Sequence, residues 1–187
     1  MIKDLVLKNR SYRRFRESAK LTQSQLMKLV DLARLSPSSR NQQALKFMLI
    51  HEDEDCADLF DQLAWAGYIK NWNGPVKGER PGAYIVIMGD SNLGKQFDTD
   101  VGIVAQSILL GAVELGLGGC MIGSIKREKV KEIFSIPDNL SIELVVALGE
   151  PVEDIVIEEC IEGDIRYWRD DKEVHHVPKR NLGDIIY

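Results

Sequence analysis

Basic charge is what this chain has too little of: 24 Lys and Arg stand against 29 Asp and Glu, a formal net charge of -5. A nucleic-acid binder rests its affinity on a broad basic surface, so that class is disfavoured and any basic cluster must act locally. Cysteine is scarce too. Cys56, Cys120 and Cys160 are odd in number, with no CxxC pair and no zinc-ligand spacing, which fits a reduced, cytoplasmic protein rather than a disulfide or zinc scaffold. Of three histidines, His175 and His176 are adjacent and in an extended segment would point to opposite faces, while His51 ends a strand. No metal site is expected. A signal-peptide core is missing as well, since Lys3 and Asp4 interrupt the opening apolar residues and Lys8, Arg10, Arg13, Arg14 and Arg16 follow. The one long apolar run, Val101 to Ile125, holds a single charge, Glu114, but six glycines. Those after Leu115 end a helix there, so a buried helix followed by a strand is favoured over a membrane span.

The chain's 187 residues, 44% apolar and 28% charged, suit one domain over 1–187, with a core over 1–150 and a C-terminal extension over 151–187. Thr22 and Gln25 form a capping box ahead of Leu26, Leu29, Val30 and Ala33 on one helical face, and Pro37 closes that helix. Strands are predicted at Lys46–His51, Ala83–Gly89, Gly119–Ser124 and Ser141–Leu148. Helices are predicted at Glu52 to about Ile69, Phe97 to about Leu117, and Arg127–Phe134. Asn71 to Gly82 is turn-rich and reads as a surface excursion. The order does not repeat as βαβ units, which favours α+β. After Pro151 apolar density falls, yet Leu182, Ile185, Ile186 and Tyr187 ask for burial, which a partner subunit would supply.

Arg10-Ser11-Tyr12-Arg13-Arg14-Phe15-Arg16 puts four guanidinium groups and a serine hydroxyl into seven residues, the donor set a dianionic phosphate needs. Arg10 and Arg13, three apart, would converge if the segment were a helical turn. On composition alone, a solvated basic face is the usual explanation of such a run. Lys179-Arg180 is a second basic pair, and Ser36 to Gln43 is a loop dense in hydroxyls and amides that could read a polar heterocycle or serve as a plain connection. Gly116, Gly118 and Gly119 follow a helix and precede a strand, the reverse of the dinucleotide fingerprint, so a Rossmann site is rejected. Cys120 sits in an apolar run and reads as a structural cysteine.

Taken in this order, the segments resemble the nitroreductase family of flavin enzymes over nearly the whole chain. The Arg-Ser-x-Arg opening resembles the family's phosphate-binding start, which implies Arg10, Ser11 and Arg13 on the phosphate of flavin mononucleotide (FMN). Pro37-Ser38-Ser39-Arg40-Asn41-Gln42-Gln43 resembles the loop that reaches the flavin from the other subunit, implying Pro37, Ser38, Ser39, Asn41 and Gln43. Asp100-x-Gly102, Ala105-Gln106 and the glycine exit are similar to the central dimer helix. Met121, Ile122 and Gly123 fall where members line the isoalloxazine ring. Gly149-Glu150-Pro151 and Pro178-Lys179-Arg180 resemble C-terminal landmarks, returning Lys179 and Arg180 to the phosphate. The family's Pro-Trp is replaced by Ala44-Leu45, and Trp65 to Pro81 departs from the commoner pattern, leaving Leu63, Ala64 and Trp65 as candidates for the central flavin contact.

The resemblance implies a nitroreductase-like α+β fold with a mixed or antiparallel central sheet flanked by helices, and a C-terminal tail extending over the partner of a homodimer. It implies hydride transfer from NADH or NADPH through FMN to an electron-poor acceptor such as a nitroaromatic or quinone, with no catalytic side chain. An FMN-dependent dehalogenase or dehydrogenase, a flavin-binding dimer without turnover, and a cofactor-free scaffold are the alternatives.

Overall fold

The computed structural model describes residues 1–187. Its central feature is an antiparallel four-stranded sheet in the order β1 (Leu45–Ile50), β2 (Ala83–Asp90), β4 (Leu140–Gly149), β3 (Gly118–Ile122). All eight β2 residues are buried, because successive side chains point to opposite faces and both faces are covered. Ala83, Ile85 and Ile87 face a core with Leu26, Leu29, Ile108 and Leu109, while Tyr84, Val86 and Met88 face another with Leu59, Trp65 and Val130. The α+β expectation holds, and the central sheet is wholly antiparallel.

The helices follow the sequence patterns closely where caps or glycines mark their ends. In α2 (Gln23–Leu35) the Thr22 hydroxyl accepts from the Gln25 N–H and the Gln25 side chain accepts from the Thr22 N–H, satisfying two otherwise unpaired donors. It packs on α4 (Asp98–Glu114), where Gly111 lets the helices close: a Cβ there would stand 2.3 Å from Leu32 Cδ1. Gly116 then adopts φ +75° and the chain enters β3. No helix is long and apolar enough to cross a membrane. The opening helix α1 (Ile2–Lys8) buries none of its residues.

One expectation is corrected. The helix predicted from Glu52 to Ile69 is only α3, Asp53–Phe60. Beyond it Leu63 bridges Ile125, the Ala64 N–H donates to Ser124 O at 3.0 Å, and Ala66 is left-handed; pairing with the chain beyond β3 overrides the helical pattern. The tail, whose apolar density is too low for a core of its own, forms a three-stranded sheet of β5 (Ile155–Glu159), β7 (His175–Lys179) and β6 (Trp168–Arg169), with β5 and β7 parallel. Polar links assemble it in place of a core: His176 stacks on Trp168 at 4.0 Å and hydrogen-bonds Glu158. Leu182, Ile185, Ile186 and Tyr187 remain exposed. The helix Arg127–Ile133 (α5) lies where predicted.

Gly149 ends β4 against the Phe15 ring, and an added Cβ would stand 2.7 Å from Phe15 Cδ1. Since Phe15 is fully buried, Gly149→Ala should destabilise the protein by about 1–3 kcal/mol through overpacking. Urea unfolding measures this, and an unchanged midpoint would mean that the ring moves aside freely.

Candidate functional site

Residues 11–16 run extended, and not as the helical turn that would aim Arg10 and Arg13 at one point. Ser11 bridges Gly119, the Tyr12 N–H donates to Gly119 O at 3.0 Å, and the Arg16 N–H donates to Glu150 O at 2.8 Å. Extended backbone sends alternate side chains to opposite sides, which puts Arg13 opposite Arg14 and Arg16; Arg10 precedes this segment, at a turn in which the Tyr12 N–H donates to Arg10 O. Arg14 pairs with Glu79 at 2.6 Å and Glu173 at 3.2 Å, and Arg16 pairs with Glu150 at 2.9 Å. Arg10 and Arg13 make no ion pair; the Arg10 guanidinium donates to Val6 O at 2.7 Å, and Arg13 Nη1 donates to Ser11 O at 3.1 Å.

Both uncompensated arginines line a cleft of about 530 Å³, together with Ser11, Lys179 and Arg180. The structure thus joins the two basic clusters that the sequence holds far apart. Four cationic side chains and a hydroxyl converge, and no carboxylate residue lines the cleft. That donor set fits a phosphate dianion, which each guanidinium can bind with two parallel hydrogen bonds.

Glu153 fixes this arrangement. One of its carboxylate oxygens accepts from the backbone N–H groups of Arg13 and Arg14, and the other accepts from Arg169 Nη2 at 2.9 Å. Arg169 also lies over the Trp72 ring at 4.5 Å, anchoring the turn-rich excursion. Arg13 itself sits 4.8 Å over the Tyr167 ring and 3.3 Å from His175 Nε2. Guanidinium has only donors, so Nε2 accepts and the imidazole proton sits on Nδ1.

Arg13, Met121 and Tyr167 are shared with a second hollow of about 250 Å³, which Ala64, Trp65, Ile122 and Gly123 also line. Met121 is exposed whereas Ile122 belongs to the core, as strand alternation requires. A Cβ on Gly123 would meet nothing within 4 Å, so this wall is open. Leu63 does not line it. Burial raises the Cys120 thiol pKa despite nearby Arg13, which leaves the thiol protonated at neutral pH as a structural cysteine should be.

Pro37, Ser38, Ser39, Asn41 and Gln43 line neither part of the cleft. Ser38 and Gln43 border a separate hollow of about 260 Å³ beside Asp100, whose carboxylate accepts from the Ser39 N–H at 2.9 Å. Arg40, Asn41 and Gln43 hold positive φ of 54°, 54° and 51°, a strained run that concentrates at functional loops. Sequence reasoning missed Asn9, Gln106, Glu153, Tyr167 and His175. Asn9 Nδ2 donates to Gln106 Oε1 at 3.3 Å at the cleft wall. The only available signal was the adjacent histidine pair, whose predicted opposite orientations are observed: His175 is buried beside Arg13, and His176 faces Trp168.

Burial, with help from Arg13 and Arg169, depresses the His175 pKa from 6.5 to about 4. The unfolded chain therefore binds the extra proton first. His175's contribution to stability is complete above about pH 6.5 and is lost as pH falls toward 4. His176 has the opposite sign: burial lowers its pKa, but the Glu158 and Asp170 carboxylates outweigh this and raise it, so its contribution is present at low pH and is lost as pH rises through the folded value. Histidine NMR titration and pH-dependent unfolding of His175→Gln and His176→Gln should show these opposite slopes. Glu153→Ala should cost about 3–5 kcal/mol in urea unfolding, because Arg169 would be left buried without its partner.

The family model described as "Nitroreductase family" matches residues 6–150. An Archaeoglobus fulgidus protein provisionally named NADH dehydrogenase/NAD(P)H nitroreductase is 25% identical over 142 residues, covering 72% of this chain and 76% of that protein. The crystal structure of a nitroreductase family protein from Clostridium difficile 630 is 26% identical with a TM-score of 0.66, covering 80% of this chain and 84% of that one. A provisionally named nitroreductase of Exiguobacterium sibiricum 255-15, solved in complex with FMN, shares the fold at 20% identity and a TM-score of 0.68, with coverage of 82% and 89%. With most of its length matched by that model and its fold shared with these structures, the chain belongs to the nitroreductase family.

Proposed function

We propose that this chain is an FMN-dependent oxidoreductase that passes hydride from NADH or NADPH to an electron-poor small molecule such as a nitroaromatic or quinone, acting as a cytoplasmic homodimer. The observation that carries this reading is the carboxylate-free cationic end of the cleft, continuous with an open wall at Met121 and Gly123. Arg10, Ser11, Arg13, Lys179 and Arg180 hold the cofactor's phosphate, and Met121, Ile122 and Gly123 support its ring. Bound FMN supplies the two-electron chemistry between nicotinamide and acceptor.

The protein's part is binding and orientation. The cations fix one end of the cofactor, the β3 wall leaves a face open for flat reactants, and the buried Cys120 thiol takes no part. A partner subunit supplies what a single chain leaves unfinished. Ile2, Val6 and Leu7 on α1, with Leu182, Ile185 and Ile186 in the tail, are exposed, and such apolar residues suit an interface. In that dimer the strained loop carrying Pro37, Ser38, Ser39, Asn41 and Gln43 reaches the partner's flavin.

Arg13→Ala and Lys179→Ala should each weaken FMN binding by about 1.5–3 kcal/mol, the worth of a charged hydrogen bond. Fluorescence titration measures it, and unchanged affinity in both would remove the phosphate assignment. The purified yellow protein should oxidise NADH or NADPH with ping-pong kinetics. A ternary-complex pattern would exclude sequential use of one face, and no oxidation at all would identify a flavin-binding dimer without turnover.

A further inference from the structure

Arg13 is a buried cation whose guanidinium meets only neutral groups. Its residue is nine-tenths buried, yet Glu153, the nearest carboxylate in its network, bonds its backbone N–H and forms its ion pair with Arg169 instead. The guanidinium is held by the Ser11 carbonyl, the imidazole Nε2 of His175 and the face of Tyr167. Tyr167 is in turn packed 5.3 Å from the His175 ring and 5.0 Å from Tyr68. His175 Nδ1 is buried with no partner, so the imidazole's one good hydrogen bond is the one to Arg13.

A carboxylate at either position would hold the arginine just as firmly but would cancel its charge. A neutral acceptor and an aromatic face orient it and leave the charge available to an incoming anion. An ion preoriented in this way binds without first breaking an internal salt bridge. We propose that His175 and Tyr167 are positioning residues that hold Arg13 as an uncompensated cation, and that they set the preference for a flavin bearing a terminal phosphate over its dephosphorylated form. This inference rests on the flavin reading above and assigns to tail residues a role in choosing the cofactor.

The test compares dissociation constants for FMN and riboflavin, measured by quenching of flavin fluorescence with the full chain. Wild-type protein should favour FMN. His175→Leu and Tyr167→Leu should each lower FMN affinity about tenfold or more with riboflavin affinity unchanged, and His175→Gln, which restores a neutral acceptor, should recover most of the loss. His175→Glu adds a control for folding: it can pair with Arg13 and keep the cleft intact, yet it should reduce the preference for FMN most of all. Equal losses for both flavins would show that these side chains merely maintain the cleft and would overturn the inference, as would an unchanged ratio in all four variants. If wild-type protein binds FMN no better than riboflavin, the phosphate assignment itself falls and the inference with it. Preference in the wild type that survives every substitution removes only the inference.

Discussion

The carboxylate of Glu153 is the point through which the two ends of this chain are held together. It accepts from the backbone of the Arg13–Arg14 segment and pairs with Arg169 of the tail, so the extended arginine segment and the small tail sheet share a buried anchor. Both partners are buried: the side chains of Arg169 and Glu153 are 8% and 1% exposed. A buried pair of this kind contributes little net stability over an apolar equivalent, but leaving one member alone is costly. Its value here is geometric. By taking Arg169 as its ion-pair partner, Glu153 fixes the backbone beneath Arg13 without neutralising the Arg13 side chain.

The central body was legible because local signals agreed with tertiary demands. The Thr22–Gln25 capping box, the unbroken apolar β2 and the glycines after Leu115 each mark a boundary by their own chemistry. The region after Phe60 was not legible, since Leu63 and Ala66 continue a helical spacing that is overridden by pairing with Ser124 and Ile125. The tail sheet escaped for another reason. Its strands are short, its links are polar, and its parallel β5–β7 pair joins residues well separated in sequence, so the brief run Ile155-Val156-Ile157 is its only apolar signal.

The candidate site was legible as composition and not as geometry. Arginines at 10, 13, 14 and 16 look alike in a sequence. Only the fold separates Arg10 and Arg13, which make no ion pair, from Arg14 and Arg16, whose charges are answered by carboxylates at 79, 150 and 173. The polar loop at 37–43 carries its own signal, the strained backbone of Arg40, Asn41 and Gln43, but its distance from the same chain's cleft is a property of the fold.

The bond between Arg13 and His175 spans 162 residues, and Lys179 and Arg180 join the same cleft. During synthesis the chain emerges from its N-terminus, so the first arginines leave the ribosome long before the residues that orient them. The central sheet is complete once β4 has formed, whereas the cationic cleft needs the chain through residue 180. The cationic cleft is thereby a late product of folding: a nascent chain can fold its body first, and the cleft is complete only once residue 180 has been delivered.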